Sequence, residues 1–281
     1  MTSVKESSRA AFLKDILIID VDSDQPAPCD LDLVNSAMAK STESGFPVIE
    51  MSETDGIVVF VVPVFRAATL VSFVVFVAWA NESAIGVFES WQPVGDYNEL
   101  ELTSGYFGSL ERFQNVSSFV RFEKSYGLPG QVWDGLRFVV HDNLPSHRGF
   151  LRAAGASAES LQVAVGMPVY SDTFLASAVL ISSDLAPIAR AFEAWEYTGG
   201  QFVLTSSAYQ NLASTLRLEE GAVLTERSLP GLALQEGRAT TTTATEVLSH
   251  GRGADAVLNG RGVVVPFFKG DQISNVLTLV L

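Results

Sequence analysis

PVFRAATLVSFVV (Pro63–Val75), PVYSDTFLASAVL (Pro168–Leu180) and PFFKGDQISNVLT (Pro266–Thr278) align on their prolines without a gap. Each follows an apolar run and reads as a proline, two apolar residues, a short turn and a second apolar run. The turns Ser171-Asp172-Thr173 and Lys269-Gly270-Asp271 are polar, and Arg66-Ala67-Ala68-Thr69 occupies the same place in the first copy. Apolar runs of strand length on either side of such turns predict β-hairpins. The hairpins recur about 100 residues apart, so the repeating unit is a domain and not a solenoid turn of ~20–50 residues.

The repeat settles how the most apolar stretch reads. Residues 56–78 are nearly all apolar and long enough for a membrane span. Pro63 and Arg66 stand near its middle, and a central arginine in lipid costs at least ~2.5 kcal/mol. As a repeat copy, the stretch is two buried strands and a turn, with no membrane role. Residues 1–16 carry Lys5, Glu6, Arg9, Lys14 and Asp15 and hold no apolar run suited to a secretory leader.

Two further correspondences extend the repeat. ANESAIGVFESW (Ala80–Trp91) matches DLAPIARAFEAW (Asp184–Trp195), and Leu128-Pro129-Gly130 matches Leu229-Pro230-Gly231. Each later copy then reads as a strand ending at Trp91 or Trp195, a polar turn and a second strand. A helix follows near Leu-Pro-Gly, since proline is tolerated in a first helical turn. A short strand, a variable polar stretch and the proline hairpin complete the copy. Helices interrupting antiparallel strands predict an α+β domain, an antiparallel sheet with helices packed on its faces.

Composition narrows the function classes. The chain has 281 residues, 47% hydrophobic and 18% charged, with a formal net charge of −14. Such a charge repels nucleic-acid phosphates and anionic membranes, so neither is expected as a partner. The single cysteine, Cys29, excludes an intrachain disulfide and a multi-cysteine zinc site, and it suits a reducing cytoplasm.

The central copy resembles a GAF domain, the small-molecule-sensing module of many signalling proteins. The resemblance rests on GYFGSL (Gly105–Leu110), FEKSYGLPGQVW (Phe122–Trp133), FLRAA (Phe150–Ala154) and VGMPVY (Val165–Tyr170), in family order. The last copy keeps FEAW (Phe192–Trp195), LPGLALQEGR (Leu229–Arg238) and VVVPFF (Val263–Phe268). In the first, GFPVI (Gly45–Ile49) resembles GLRFV (Gly135–Val139), ILIID (Ile16–Asp20) suits an opening strand, and Glu50–Val62 stands in place of the longer Val140–Met167. The resemblance implies tandem GAF-like domains: a shortened, degenerate segment at 1–80 and two domains at 81–185 and 186–281. A different arrangement of the first 80 residues stays open.

Catalytic chemistry finds little support in the residues. The histidines are His141, His147 and His250, and no Gly-x-Ser-x-Gly elbow is present. Cys29 has an acidic neighbour and no nearby histidine, which suits an inert thiol. His141-Asp142 with His147 matches no zinc or iron spacing, so no metal is expected. No catalytic residue is assigned, and an enzyme with an unrecognised site is a less favoured alternative than a scaffold. Within the resemblance, the reductase, bilin-binding and cyclic-nucleotide-binding branches lack their cysteines or signature here, so no cofactor is named.

What the resemblance implies is a non-catalytic sensory protein in signal transduction, binding a small molecule and acting through a signalling partner or a homodimer. Its cavity, between sheet and helices, would be lined by Trp91, Tyr106, Phe138, His141, Phe150 and Arg152. The aromatic residues also read as plain core, and Arg152 as a solvated helix charge. The alternative function is a structural scaffold with collapsed pockets.

Overall fold

In the computed structural model, residues 11–21, 31–81, 83–95, 98–253 and 255–281 are described. Cys29 lies outside them. The first hairpin belongs to a group made of β1 (Leu13–Asp20), α1 (Asp32–Ser44), β2 (Val48–Ser52), β3 (Ile57–Arg66) and β4 (Thr69–Trp79). The second belongs with β5 (Gly86–Pro93), β6 (Glu99–Tyr106), α2 (Glu111–Phe119), β7 (Phe122–Glu123), α3 (Gly127–Gly135), β8 (Val139–His141), α4 (Ala153–Ala158), β9 (Leu161–Ser171) and β10 (Thr173–Ser183). The third runs through β11 (Ala191–Thr198), β12 (Gln201–Tyr209), β13 (Val223–Leu224), α5 (Leu232–Glu236), β14 (Thr240–Thr242), α6 (Thr245–Ser249), β15 (Gly262–Lys269) and β16 (Gln272–Val280). Three antiparallel sheets result, in the orders β1-β4-β3-β2, β7-β6-β5-β10-β9-β8 and β13-β12-β11-β16-β15-β14.

The three prolines hold one register place. Pro63, Pro168 and Pro266 face Phe73, Ser177 and Val276 across their hairpins. On the other side, the outer strand's last pairs are Val48 with Val61, Val139 with Gly166, and Thr240 with Val264. Each outer strand therefore ends two residues short of the proline. A proline has no N–H to donate, so it is tolerated where the neighbouring strand has already stopped. Just beyond it, every hairpin carries a bulge that leaves Val71, Leu175 or Ser274 unpaired in the returning strand.

Both faces of these hairpins are buried. Val58, Phe60, Val62 and Val64 of β3 join Val163, Val165 and Met167 of β9 and Val263, Val265 and Phe267 of β15 in one core shared by all three sheets. The alternate residues turn the other way: Val59 and Val61 pack with Val34 and Ala37 of α1. In the shared core, Phe60 and Phe88 have ring centroids 5.2 Å apart, and Phe12 and Phe88 5.1 Å. The three prolines converge on a cleft of about 20 Å³, beside Phe138, Tyr170 and Phe267. A strand buried on both sides reads as an unbroken apolar run, which is why residues 56–78 look like a membrane span. Among the described residues no helix is long and apolar enough to cross a membrane.

The α+β expectation, helices packed on the faces of each sheet, is corrected: the molecule is predominantly antiparallel sheet. Its helices are short and cover the outward face of each sheet, while the inward faces pack on one another. The inward residues are apolar and need a partner, and the other sheets supply it.

Polar links join neighbouring sheets. The Val140 N–H donates to Ser206 Oγ at 3.0 Å. Asp15 pairs with Arg261 at 2.5 Å, Asp20 with Arg238 at 2.9 Å, and the Ala67 N–H donates to Gly270 O at 3.0 Å. Helix α1 escapes the sequence pattern, and Gly45 ends it at φ 76°, in the left-handed region glycine tolerates. The Leu-Pro-Gly repeat has a packing cause. A Cβ on Gly130 would stand 2.1 Å from Glu123 O, and one on Gly231 would stand 2.1 Å from Glu226 O.

Candidate functional site

Between the second sheet and its helices lies a buried ion pair. Glu89 points from the middle of β5, and Arg152 enters from the residue preceding α4. Their exposures are 0% and 2%. The guanidinium grips the carboxylate in a fork: Nη1 donates to Oε1, and Nη2 to Oε2 at 2.9 Å. Nη1 also donates to Ser117 Oγ at 2.6 Å, and Trp91 Nε1 donates to Glu89 Oε2 at 2.9 Å. Four rings enclose the guanidinium carbon, with centroids at 4.6 Å (Phe113), 5.2 Å (Phe150), 5.4 Å (Trp91) and 5.7 Å (Phe122). Such cation–ring contacts strengthen when desolvated. Arg152 Nε is buried without a hydrogen-bond partner among the described residues.

The third sheet repeats the device. Arg252 Nη2 donates to Glu193 Oε1 at 2.7 Å and Oε2 at 2.9 Å. Its Nη1 reaches Leu216 O at 2.7 Å and its Nε reaches Leu248 O at 3.0 Å. Thr278 Oγ1 donates to Glu193 Oε2 at 3.2 Å and accepts from Trp195 Nε1 at 3.1 Å. Tyr209 places its hydroxyl 3.0 Å from Glu193 Oε1. Burial first, then the Glu193 charge, pushes this phenol up to about 12, so it stays protonated. Glu193 thus accepts four hydrogen bonds, two on each oxygen, and Glu89 accepts three, so little acceptor capacity is left on either carboxylate for a substrate.

The six residues expected to line a cavity divide between two faces. Trp91, Phe150 and Arg152 meet around the ion pair, and His141 borders them, edge-on to Phe150 at 6.4 Å. Tyr106 and Phe138 lie on the opposite side, in contact with the core shared by the three sheets. There Tyr106 stacks on Phe12 at 6.2 Å and Phe138 meets Phe267 edge-on at 6.5 Å. Arg152 is not a solvated helix charge. Glu89, Ser117, Glu193 and Arg252 were outside the expected set. A signal for two of them is present in FESW and FEAW, an acid two residues before tryptophan inside an apolar strand.

His141 and His147 stack with ring centroids 3.8 Å apart. His141 Nε2 lies 3.1 Å from Gln131 Oε1, and Nδ1 is buried without a partner among the described residues. Burial, then the neighbouring His147, lowers His141 to about 3, so its ring is neutral at pH 7. Burial also lowers His147, against the raising influence of Asp142. Stacked rings do not aim two nitrogens at one point. Among the described residues no group of three or more His, Cys, Asp or Glu could hold a metal ion.

Surface clefts lie elsewhere. One of about 630 Å³ runs between the tip of the first hairpin and the third sheet, lined by Arg66, Tyr197, Leu234, Phe268, Asp271 and Gln272.

No family model matches the chain, and no curated protein matches it. Solved structures do. A GAF domain of the A. aeolicus nlh2 protein, in an inactive state, shares 19% identity over 34% of this chain and 57% of its own, with a TM-score of 0.29. The chain thus spans little more than half the length of that structure. S. aureus NreA, mutated in its nitrate binding site, shares 15% identity over 38% of this chain and 80% of its own, with a TM-score of 0.30. An uncharacterised M. tuberculosis protein shares 11% identity over 97% of this chain and 96% of its own, with a TM-score of 0.23.

Proposed function

We propose that the chain is a non-catalytic regulatory protein built of GAF-like units, working through surfaces that meet a partner and not through enclosed ligand pockets. One observation carries this. In both six-stranded units the space between sheet and helices, where a sensor of this kind would seat its ligand, is filled by the chain's own glutamate–arginine pair. An arginine in an aromatic box is a good anion seat, but Glu89 already sits in it. A buried ion pair with each member bound is maintained as a unit, because removing one member leaves an uncompensated charge.

A second reading keeps small-molecule sensing and moves it outward. The cleft beside Arg66 and Tyr197 is within the ~300–1,000 Å³ range of ligand pockets and carries a cation, an aromatic ring and amide groups.

Native mass spectrometry of the purified full chain tests the first reading. The expected spectrum is the bare chain, with no small molecule released on denaturation. Thermal unfolding should be unmoved by tetrapyrroles and cyclic nucleotides, which need an enclosed pocket. A stoichiometric adduct in contact with Trp91 or Arg152 overturns it.

A further inference from the structure

Among the described residues the first sheet stops at β1, whereas both sister sheets have another strand along the corresponding edge. Register fixes the correspondence. Ile16, Phe88 and Phe192 face Phe76, Leu180 and Leu279, and two residues on stand Ile18, Ser90 and Ala194. Strand β6 sets Tyr106 and Ser104 against Phe88 and Ser90, and β12 sets Ala208 and Ser206 against Phe192 and Ala194. Against Ile16 and Ile18 no described strand stands. The Val21 N–H donates to Val71 O at 3.1 Å. By antiparallel alternation Leu17 and Ile19 therefore turn their backbone groups to β4, while Ile16 and Ile18 turn theirs outward. The Asp15 carboxylate accepts the Ile16 N–H at 2.7 Å. The Ile18 N–H and the carbonyls of Ile16 and Ile18 face the open edge.

The sister strands show what fits such an edge. Thr103 and Thr205 donate their hydroxyls to the carbonyls of Ser90 and Ala194 at 3.1 and 3.0 Å, the counterparts of the Ile18 carbonyl. The next residue is a serine in both, and Ser206 goes on to accept the Val140 N–H of β8. Thr241 stands where Val140 stands, three residues before the hairpin proline in the pairing. Where β12 lies beside it, the outer strand β8, Val139-Val140-His141, is fully buried. Strand β14 is threonine throughout and partly exposed.

We propose that the outer edge of β1 is a docking site for an extended segment of a partner protein, which pairs antiparallel with Ile16 and Ile18 and completes the first sheet. Strand addition of this kind gains main-chain hydrogen bonds and takes its specificity from alternate side chains. The matching segment carries a Leu-Thr-Ser core, as in LTSGY (Leu102–Tyr106) and LTSSAY (Leu204–Tyr209). Its threonine reaches the Ile18 carbonyl. With a net charge of −14 on this chain, neutral or basic flanks suit the partner.

This rests on the partner-binding reading above but fails separately from it, since a co-purified core ligand would leave the β1 edge unchanged. Hydrogen exchange on the full chain, with and without the synthetic peptide QFVLTSSAY, provides the test. In the free chain the Leu17 and Ile19 amides should be protected and the Ile18 amide should exchange fast. Saturating peptide should slow the Ile18 amide at least about tenfold, and a scrambled peptide should not. Ile18→Pro removes that single outward N–H, a change edge strands tolerate, and should weaken peptide binding about tenfold. An Ile18 amide already protected in the monomer, or protected only as the chain dimerises, overturns the proposal by giving the edge to the chain itself or to a second copy. No protection at millimolar peptide overturns it as well.

Discussion

Leu17 in the first sheet stands at the register place that Glu89 holds in the second and Glu193 in the third, opposite Val75, Val179 and Thr278. Ile19 likewise stands where Trp91 and Trp195 stand. The six-stranded units carry a segment between outer strand and proline hairpin that delivers Arg152 or Arg252. In the first unit β2 turns directly into β3 through residues 53–56, and no arginine arrives from there. The interior follows: where the guanidinium is supplied, the strand carries glutamate, and where it is not, the same place is leucine. A hairpin scaffold thus accepts either interior, provided charge is never left alone.

The largest expected effect breaks one pair. Arg252→Met strands Glu193 and frees the carbonyls of Leu216 and Leu248, and should lower stability by about 3–5 kcal/mol in urea unfolding. Next, Gly130→Ala and Gly231→Ala should destabilise by similar amounts, about 1–3 kcal/mol each, because both drive a Cβ into a backbone carbonyl. A loss in one unit only would break the equivalence of the copies. Leu17→Glu, which gives the first unit a carboxylate without its arginine, should cost about 1–3 kcal/mol at pH 7 and recover in acid as the group protonates.

The smallest effect near neutral pH belongs to His141, whose contribution changes only in acid. His141 is held neutral in the fold, with its pKa lowered from 6.5 to about 3. Below 6.5 the unfolded chain takes up a proton that the folded chain refuses. Its stabilising contribution is therefore full above pH 6.5 and declines by about 1.4 kcal/mol per pH unit as pH falls toward 3. His141→Gln should flatten that limb of the stability curve.

The hairpins were legible because proline, turn and apolar runs are local. Their shared register, with the outer strand ending two residues early, fits what a proline requires of a sheet. The packing of three sheets on one core was not legible, since an inward apolar residue looks the same whether a helix or another sheet covers it. Tyr106 and Phe138 were grouped with Trp91 for that reason, although strand parity and sheet edges put them on the other face. The ion pairs escaped because Glu89 and Arg152 are far apart in sequence, and a lone arginine before Gly155 has no local mark of burial. The acid in FESW and FEAW was the available clue.

Whether Glu89 and Arg152 form a closed structural pair decides between a filled interior and an open anion seat. A double-mutant cycle measured by urea unfolding of the full chain, with Glu89→Leu, Arg152→Met and both together, answers this directly. Each single change should cost about 3 kcal/mol or more, and the double change should return most of it. Additive losses, or an Arg152→Met chain as stable as the parent, would contradict the account and reopen the arginine as a seat for something from outside.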